Sequence, residues 1–270
     1  MSEALVLSQI DERAGVGFIR LNRAGKKNAL SVDLLLELTE HINTMSANDA
    51  LRSIVLEAEG DTFSAGRDLH DMRESDRRRM RFGDDRGMTM GVVRALRSAP
   101  QITIASVQGH CLGGGFVLMS ACELAVIADD AKVGMPEILR GSYGRSATPM
   151  LFHSRIPLKH AFLMQLTGRN MSGTEAARIG LASLSVPAAE LRAKTYALAA
   201  EIASRSPAAL EHAKIAAYTE VDLPFDMAVK VDETISHRMR RFTDPLADVD
   251  GYLESQKGGT NLGYKRPAGK

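Results

Sequence analysis

Three adjacent glycines, Gly113, Gly114 and Gly115, follow a β-branched, apolar run at 102–107. They open a stretch that is apolar on every side through Met119. Glycine loses more backbone entropy on folding than alanine does, so three in a row are costly at a helix start. Close approach of a ligand to bare backbone N–H groups would offset that cost. Such groups lack intrahelical partners at a helix N-terminus, and the helix dipole favours negative charge there. The stretch reads as an oxyanion-binding turn. A second candidate is the small-residue turn in Phe63-Ser64-Ala65-Gly66-Arg67-Asp68-Leu69, after an expected strand at 53–58. The third is Glu137, a carboxylate between Pro136, Ile138 and Leu139. Apolar surroundings would raise its pKa by desolvating the charged form, and a carboxylate with a pKa near operating pH is an effective general base.

F-S-A-G-R-D-L, then H-C-L-G-G-G-F, then P-E-I-L-R-G, in this order and at these separations, resembles the crotonase family of enoyl-CoA hydratases and isomerases. Leu21-Asn22-Arg23 and Lys27-Asn28-Ala29-Leu30 fit the same family, as do Leu166-Thr167-Gly168, Ala176-Ala177 and Gly180-Leu181. The resemblance covers nearly the whole chain. It implies an α/β fold, a spiral of ββα turns, with C-terminal helices that build trimers and often hexamers. The corresponding division is a core at 1–190 carrying the CoA and oxyanion site, and a helical region at 191–270. The substrate implied is an acyl-CoA thioester, with no cofactor beyond its coenzyme A and no metal.

The resemblance assigns the two oxyanion donors to the backbone amides of Gly114 and Arg67. In comparable sites each such donor is worth about 3 kcal/mol. At Arg67 only the amide is used, which leaves the side chain to reach phosphate. Family hydratases carry two glutamates; here the second is Glu137, and the first position holds Val117. Gly114 and Val117 are three apart, so they share a helix face. Valine neither holds water nor moves a proton. A lone carboxylate suits shifting a double bond, by taking a proton from one carbon and returning it to another. Enoyl-CoA isomerisation is therefore the expected reaction. Hydration or hydratase-lyase chemistry on an aromatic or branched acyl-CoA is the alternative. G-G-G-F and Gly263-Tyr264-Lys265-Arg266 look similar to the hydroxycinnamoyl-CoA hydratase-lyases, but that branch has serine at Val117 and aromatic pocket residues where Met72 and Arg140 stand. A non-catalytic acyl-CoA-binding protein is the alternative of another class. For coenzyme A, the resemblance places Lys26, Lys27 and Arg23 near the nucleotide, with plain surface charge as the other reading of the lysines. It places backbone groups of Ala65 and Leu69 along the pantetheine and adenine. The loop Gly141-Ser142-Tyr143-Gly144-Arg145 lacks the family's Pro-Gly pair.

Bulk properties agree with a metabolic enzyme. The 34 basic and 33 acidic side chains nearly cancel, and no block of one sign dominates, which argues against a duplex nucleic-acid partner. Apolar content of 44% suffices for an ordinary core. Cys111 and Cys122, in apolar context, read as buried thiols of a reducing compartment, with Cys111 as a nucleophile the lesser reading. No signal pattern begins the chain, and no apolar run is long enough to span a bilayer, so a soluble cytoplasmic protein is expected. No G-x-G-x-x-G or G-x-S-x-G occurs, and the histidines show no metal-binding spacing.

The elements that must position these residues follow from periodicity and caps. Strands are expected at 4–10, 16–21, 53–58, 102–107, 124–128, 132–134 and 184–186. Ser31 is placed to cap a helix with Leu34, Leu35, Leu38, Ile42 and Met45 on one face. Val92, Val93 and Leu96 mark another helix. Further helices are expected at 158–166, 173–179 (with Ser172 and Glu175 as a capping box and Gly180 as stop), 190–204, 208–218, 225–242 and 245–255. The arginine-rich segment 73–86 reads as a solvated helix or mobile loop, with a lid whose arginines meet phosphates as the alternative. His110 is expected to pack, and Glu123, inside an apolar run, to be a hydrogen-bonded structural acid.

Overall fold

The computed structural model describes residues 3–71 and 87–241, with positions 249, 250 and 253. The arginine-rich segment, Met72 and the tail with Gly263 to Arg266 lie outside the described residues, and the helix expected at 245–255 is described only at 249, 250 and 253, which are helical.

The strands are β1 (Val6–Asp11), β2 (Val16–Leu21), β3 (Ser53–Ala58), β4 (Ile102–Val107), β5 (His110–Leu112), β6 (Leu124–Ala128), β7 (Lys132–Gly134), β8 (Met171–Ser172) and β9 (Leu184–Val186). Six form one sheet in the order β1-β2-β3-β4-β6-β9. Its first pair is antiparallel and the rest are parallel. A second sheet, β5-β7-β8, is much smaller. β3 is buried at every position, which is why its centre, Ile54-Val55-Leu56, is apolar without alternation.

The helices are α1 (Val32–Ser46), α2 (Gly87–Ser98), α3 (Gly114–Ala121), α4 (Ala147–His153), α5 (Leu158–Thr167), α6 (Gly173–Arg178), α7 (Leu191–Ala203), α8 (Pro207–Glu220) and α9 (Phe225–Met239). Ser31 Oγ accepts from Leu34 N at 3.3 Å, and the five apolar residues expected on one face of α1 are all buried. Ser172 likewise caps α6 through Glu175 N at 3.1 Å. α7 lies across the main sheet. Ser53 Oγ donates to Ala199 O, and Ser106 meets Thr195, both at 3.1 Å. Among the described residues no helix is long and apolar enough to cross a membrane.

Three elements escaped the sequence reading: the short strands β5 and β8, and α4. Pro149 stands in the first turn of α4, where its missing N–H costs nothing. Two expectations are corrected. β1 begins at Val6, two residues later than expected. His110 is exposed at the start of β5 and does not pack in the core.

Glu123 is the structural acid expected. Its Oε2 accepts from Thr103 N and Oγ1 at 2.7 and 2.8 Å, and its Oε1 from Tyr218 Oη at 2.7 Å. The unforeseen partner is Lys214 of α8, 3.1 Å from Oε1 and only 5% exposed. Its ammonium also donates to Leu96 O and Gln101 O. Burial pulls the Lys214 pKa below the usual lysine range, against the pull of Glu123.

Candidate active site

The site is built from four segments laced together by backbone. Asn28, fully buried at φ +49°, is the knot. Its Nδ2 donates to Glu59 O and Thr62 O at 2.8 and 2.7 Å, and its Oδ1 accepts from Arg23 N at 2.9 Å. Ser64 Oγ donates to Asn28 O at 2.7 Å and accepts from Gly66 N at 3.2 Å. Leu30 N donates to Gly66 O at 2.8 Å, and Asp68 N to Leu30 O at 3.1 Å. Ser64 N donates to His110 O, and Leu112 N back to Ser64 O. The turn Ala65–Arg67 is thereby fixed against β5 and the entry to α3.

Each glycine of the run meets a different segment. A Cβ on Gly113 would collide with Glu137 Oε1. One on Gly114 would lie 3.3 Å from Arg67 N, and one on Gly115 2.8 Å from Ser64 O. A Cβ on Gly66 would lie 3.2 Å from Gly114 N and 2.7 Å from Leu112 O. The amides of Arg67 and Gly114 therefore neighbour one another, although they come from different turns. Among the described residues neither amide donates to a carbonyl or side chain; the bonds around them run through Leu30, Asp68 and Gly113. The glycines thus permit close packing while both amides stay without an acceptor among the described residues.

Glu137 lies in a 3₁₀ turn, Pro136–Arg140, that follows β7. Gly113 N donates to Gly134 O at 2.9 Å, which ties that turn to the start of α3. Burial pushes the Glu137 carboxyl above the ordinary 4.5, and its Oε2 is buried without a partner. The source of that burial corrects the sequence reading. Leu139 is 70% exposed, and Ile138 and Leu139 pack toward Gly168 instead. Around the carboxyl are Gly113, Gly144 and, next to Gly144, Met135. Gly144, in the loop that lacks the Pro-Gly pair, stands at φ +74°; a Cβ there would come 3.6 Å from Glu137 Oε2 and 2.9 Å from Met135 Cε.

The remaining residues divide. Val117 is 1% exposed, in the core, and brings no second carboxylate. The Arg67 side chain turns inward to Thr89 Oγ1 at 3.1 Å and does not lie free toward phosphate. Arg23 pairs with Asp68 at 2.7 Å, and Lys27 with Asp61 at 2.8 Å, so both are engaged within the chain. Lys26 is exposed and has no ion pair among the described residues. The Ala65 amide donates to Lys27 O at 2.9 Å. Leu69 is 48% exposed, and Arg140 is exposed on the turn that carries Glu137. Cys111 and Cys122 are free and buried; burial raises both thiols, Cys122 to about 12, which disqualifies Cys111 as a nucleophile. A cavity of about 490 Å³ opens at the opposite end of α3, beside Ser120, Glu123 and Ser183, and contains none of the site residues.

Gly66→Ala tests the junction. At φ +92° and with two backbone atoms in the way, an alanine forces the turn apart. The expected result is a thermal midpoint lowered by several degrees and turnover lost well below that midpoint, measured by calorimetry and initial rates.

The fold and this junction define a crotonase-type protein, an α/β enzyme with paired amides and an acid. The enoyl-CoA hydratase/isomerase family model matches residues 11–259, and the chain belongs to that family. Hydroxycinnamoyl-CoA hydratase-lyase of Pseudomonas fluorescens is 32% identical over 213 residues, 76% of each chain. The solved enoyl-CoA hydratases of Mycobacterium smegmatis and Bacillus anthracis superpose with TM-scores of 0.84 and 0.85. Each is 26% identical and covers 97% of this chain and 99% of its own.

Proposed function

We propose that this enzyme shifts the double bond of an enoyl-CoA, with the amides of Arg67 and Gly114 holding the thioester oxygen and Glu137 carrying the proton between carbons. The observation that supports it is the junction itself: two neighbouring donor amides with a single desolvated carboxyl beside them. Negative charge develops on the carbonyl oxygen as the α-proton leaves. Donors already in place stabilise that charge without reorganisation. A carboxylate of raised pKa is a stronger base, and a pKa nearer the operating pH suits one group to both take and return the proton. Val117 offers no group to position water, which disfavours ordinary hydration.

A second reading, hydratase-lyase action on an aromatic acyl-CoA, is supported by the Pseudomonas fluorescens relative. No cofactor beyond the substrate's coenzyme A is proposed, and Lys26 is the cation proposed for its phosphates. The proposed assembly is a trimer or hexamer. Phe225, 80% exposed, with Met227 and Val229 half exposed on α9, offers apolar surface for it. Light scattering on the purified chain checks this; a monomer at micromolar concentration contradicts it. The proposed setting is the cytoplasm, in keeping with two free thiols.

A panel of straight, branched and aromatic enoyl-CoAs in deuterated water separates the readings. Deuterium at the α- or γ-carbon without net hydration is the expected result. Water addition indicates a hydratase, acetyl-CoA release a lyase, and tight binding without reaction a binding protein.

A further inference from the structure

The guanidinium of Arg67 has work left over. Its backbone amide is one of the two donors, and its side chain passes beside the other: Cγ lies 3.6 Å from where a Gly114 Cβ would be. The side chain then meets α2, where Nη1 donates to Thr89 Oγ1, and Thr89 is itself 5% exposed. Nε is buried without any partner. Among the described residues no carboxylate pairs with this cation, whereas Arg20, Arg23, Arg155 and Arg205 each have one. A guanidinium is always charged, and a buried donor without an acceptor is costly. With Nη1 engaged, the edge left without an acceptor among the described residues is Nε with Nη2. Two parallel N–H groups on one edge are the arrangement that grips a carboxylate bidentately.

We propose that Arg67 makes this enzyme selective for acyl thioesters whose acyl chain carries a carboxylate. The anion belongs to the acyl chain and not to coenzyme A. The guanidinium is a few bonds from the amide that takes the thioester oxygen, and the coenzyme's phosphates are a full pantetheine arm away from that oxygen. The inference rests on the reading of this junction as an acyl-CoA site, so binding is measured apart from turnover.

The experiment is calorimetric binding of glutaryl-CoA against valeryl-CoA and adipyl-CoA against hexanoyl-CoA, with the matching N-acetylcysteamine thioesters, which lack phosphates. The native protein is expected to bind at least one carboxylated member about ten- to a hundredfold tighter than its neutral partner, in both thioester series. Arg67→Met abolishes the preference, Arg67→Lys restores part of it, and Thr89→Val, which frees the guanidinium to move, weakens it. Equal or tighter binding of both neutral members overturns the inference, as does a preference that survives Arg67→Met. So does a loss in Arg67→Met that is equal for both members and confined to the coenzyme A series, which would place the phosphates on Arg67. An Arg67-dependent preference without turnover of any enoyl-CoA keeps the inference and removes the isomerase reading. Turnover of neutral enoyl-CoAs without the preference does the reverse, and no binding at all removes both.

Discussion

Glu137→Gln lowers turnover by about two to four orders of magnitude and leaves the protein folded. Glutamine keeps the shape of the side chain and cannot accept the proton. The same substitution stabilises the fold at neutral pH. Burial favours the protonated acid, so the folded pKa stands above the ordinary 4.5. The stability that protonation contributes is fully present below the unfolded pKa and is lost as pH rises through the folded one. At pH 7 the native protein therefore bears the cost of the desolvated charge or of holding the proton against it, and glutamine removes both. A higher thermal midpoint for the variant at pH 7, with the gap closing below about pH 4.5, is the expected pair of scans. Activity of the native enzyme runs the other way. It rises with pH through the raised pKa as the base form appears, so its acid limb lies above the ordinary carboxylate range. Near-native rates in the variant would remove Glu137 from the reaction.

The second large effect is on stability. Lys214→Met is expected to cost about 3 kcal/mol, the low end for a broken buried pair, because it leaves the partly buried Glu123 without its cation. Leu96 O and Gln101 O lose their donor as well. These carbonyls join α2 and the entry to β4, and Glu123 follows α3 directly, so one ammonium pins α8 to three segments of the core. Glu123→Gln should cost less: its one oxygen still accepts from Thr103 N and Oγ1, its amide NH2 donates to Tyr218 Oη, and Lys214 keeps the Leu96 and Gln101 carbonyls. The double variant should cost less than the sum, as groups in one network do not add. Denaturant unfolding of the four proteins measures this, and strict additivity would show that the pair is not coupled.

What the sequence conveyed depended on how local the signal was. Ser31 and Ser172 announced their helices because a cap and the amide it accepts from are three residues apart. The glycine run announced an unusual backbone for the same reason. Its three separate contacts did not show, because Glu137, Arg67 and Ser64 come from other parts of the chain. Glu137 was legible as an acid, but its burial was credited to Ile138 and Leu139, which face elsewhere. The true neighbours are fixed by the return of the chain at Gly144. Lys214 left still less trace. The buried residues of α8 are His212 and Lys214, so its pattern is inverted against the rule that apolar side chains face inward. The motif pointed to the amide of Arg67, while the inward turn of its side chain depends on Thr89, 22 residues further on.

A crystal structure with the saturated thioester butyryl-CoA bound tests the centre of this account most directly. The thioester oxygen is expected about 3 Å from both the Arg67 and Gly114 nitrogens, with the α-carbon facing the Glu137 carboxyl. An oxygen that meets neither amide, or an acyl chain lodged in the cavity at the far end of α3, would contradict it.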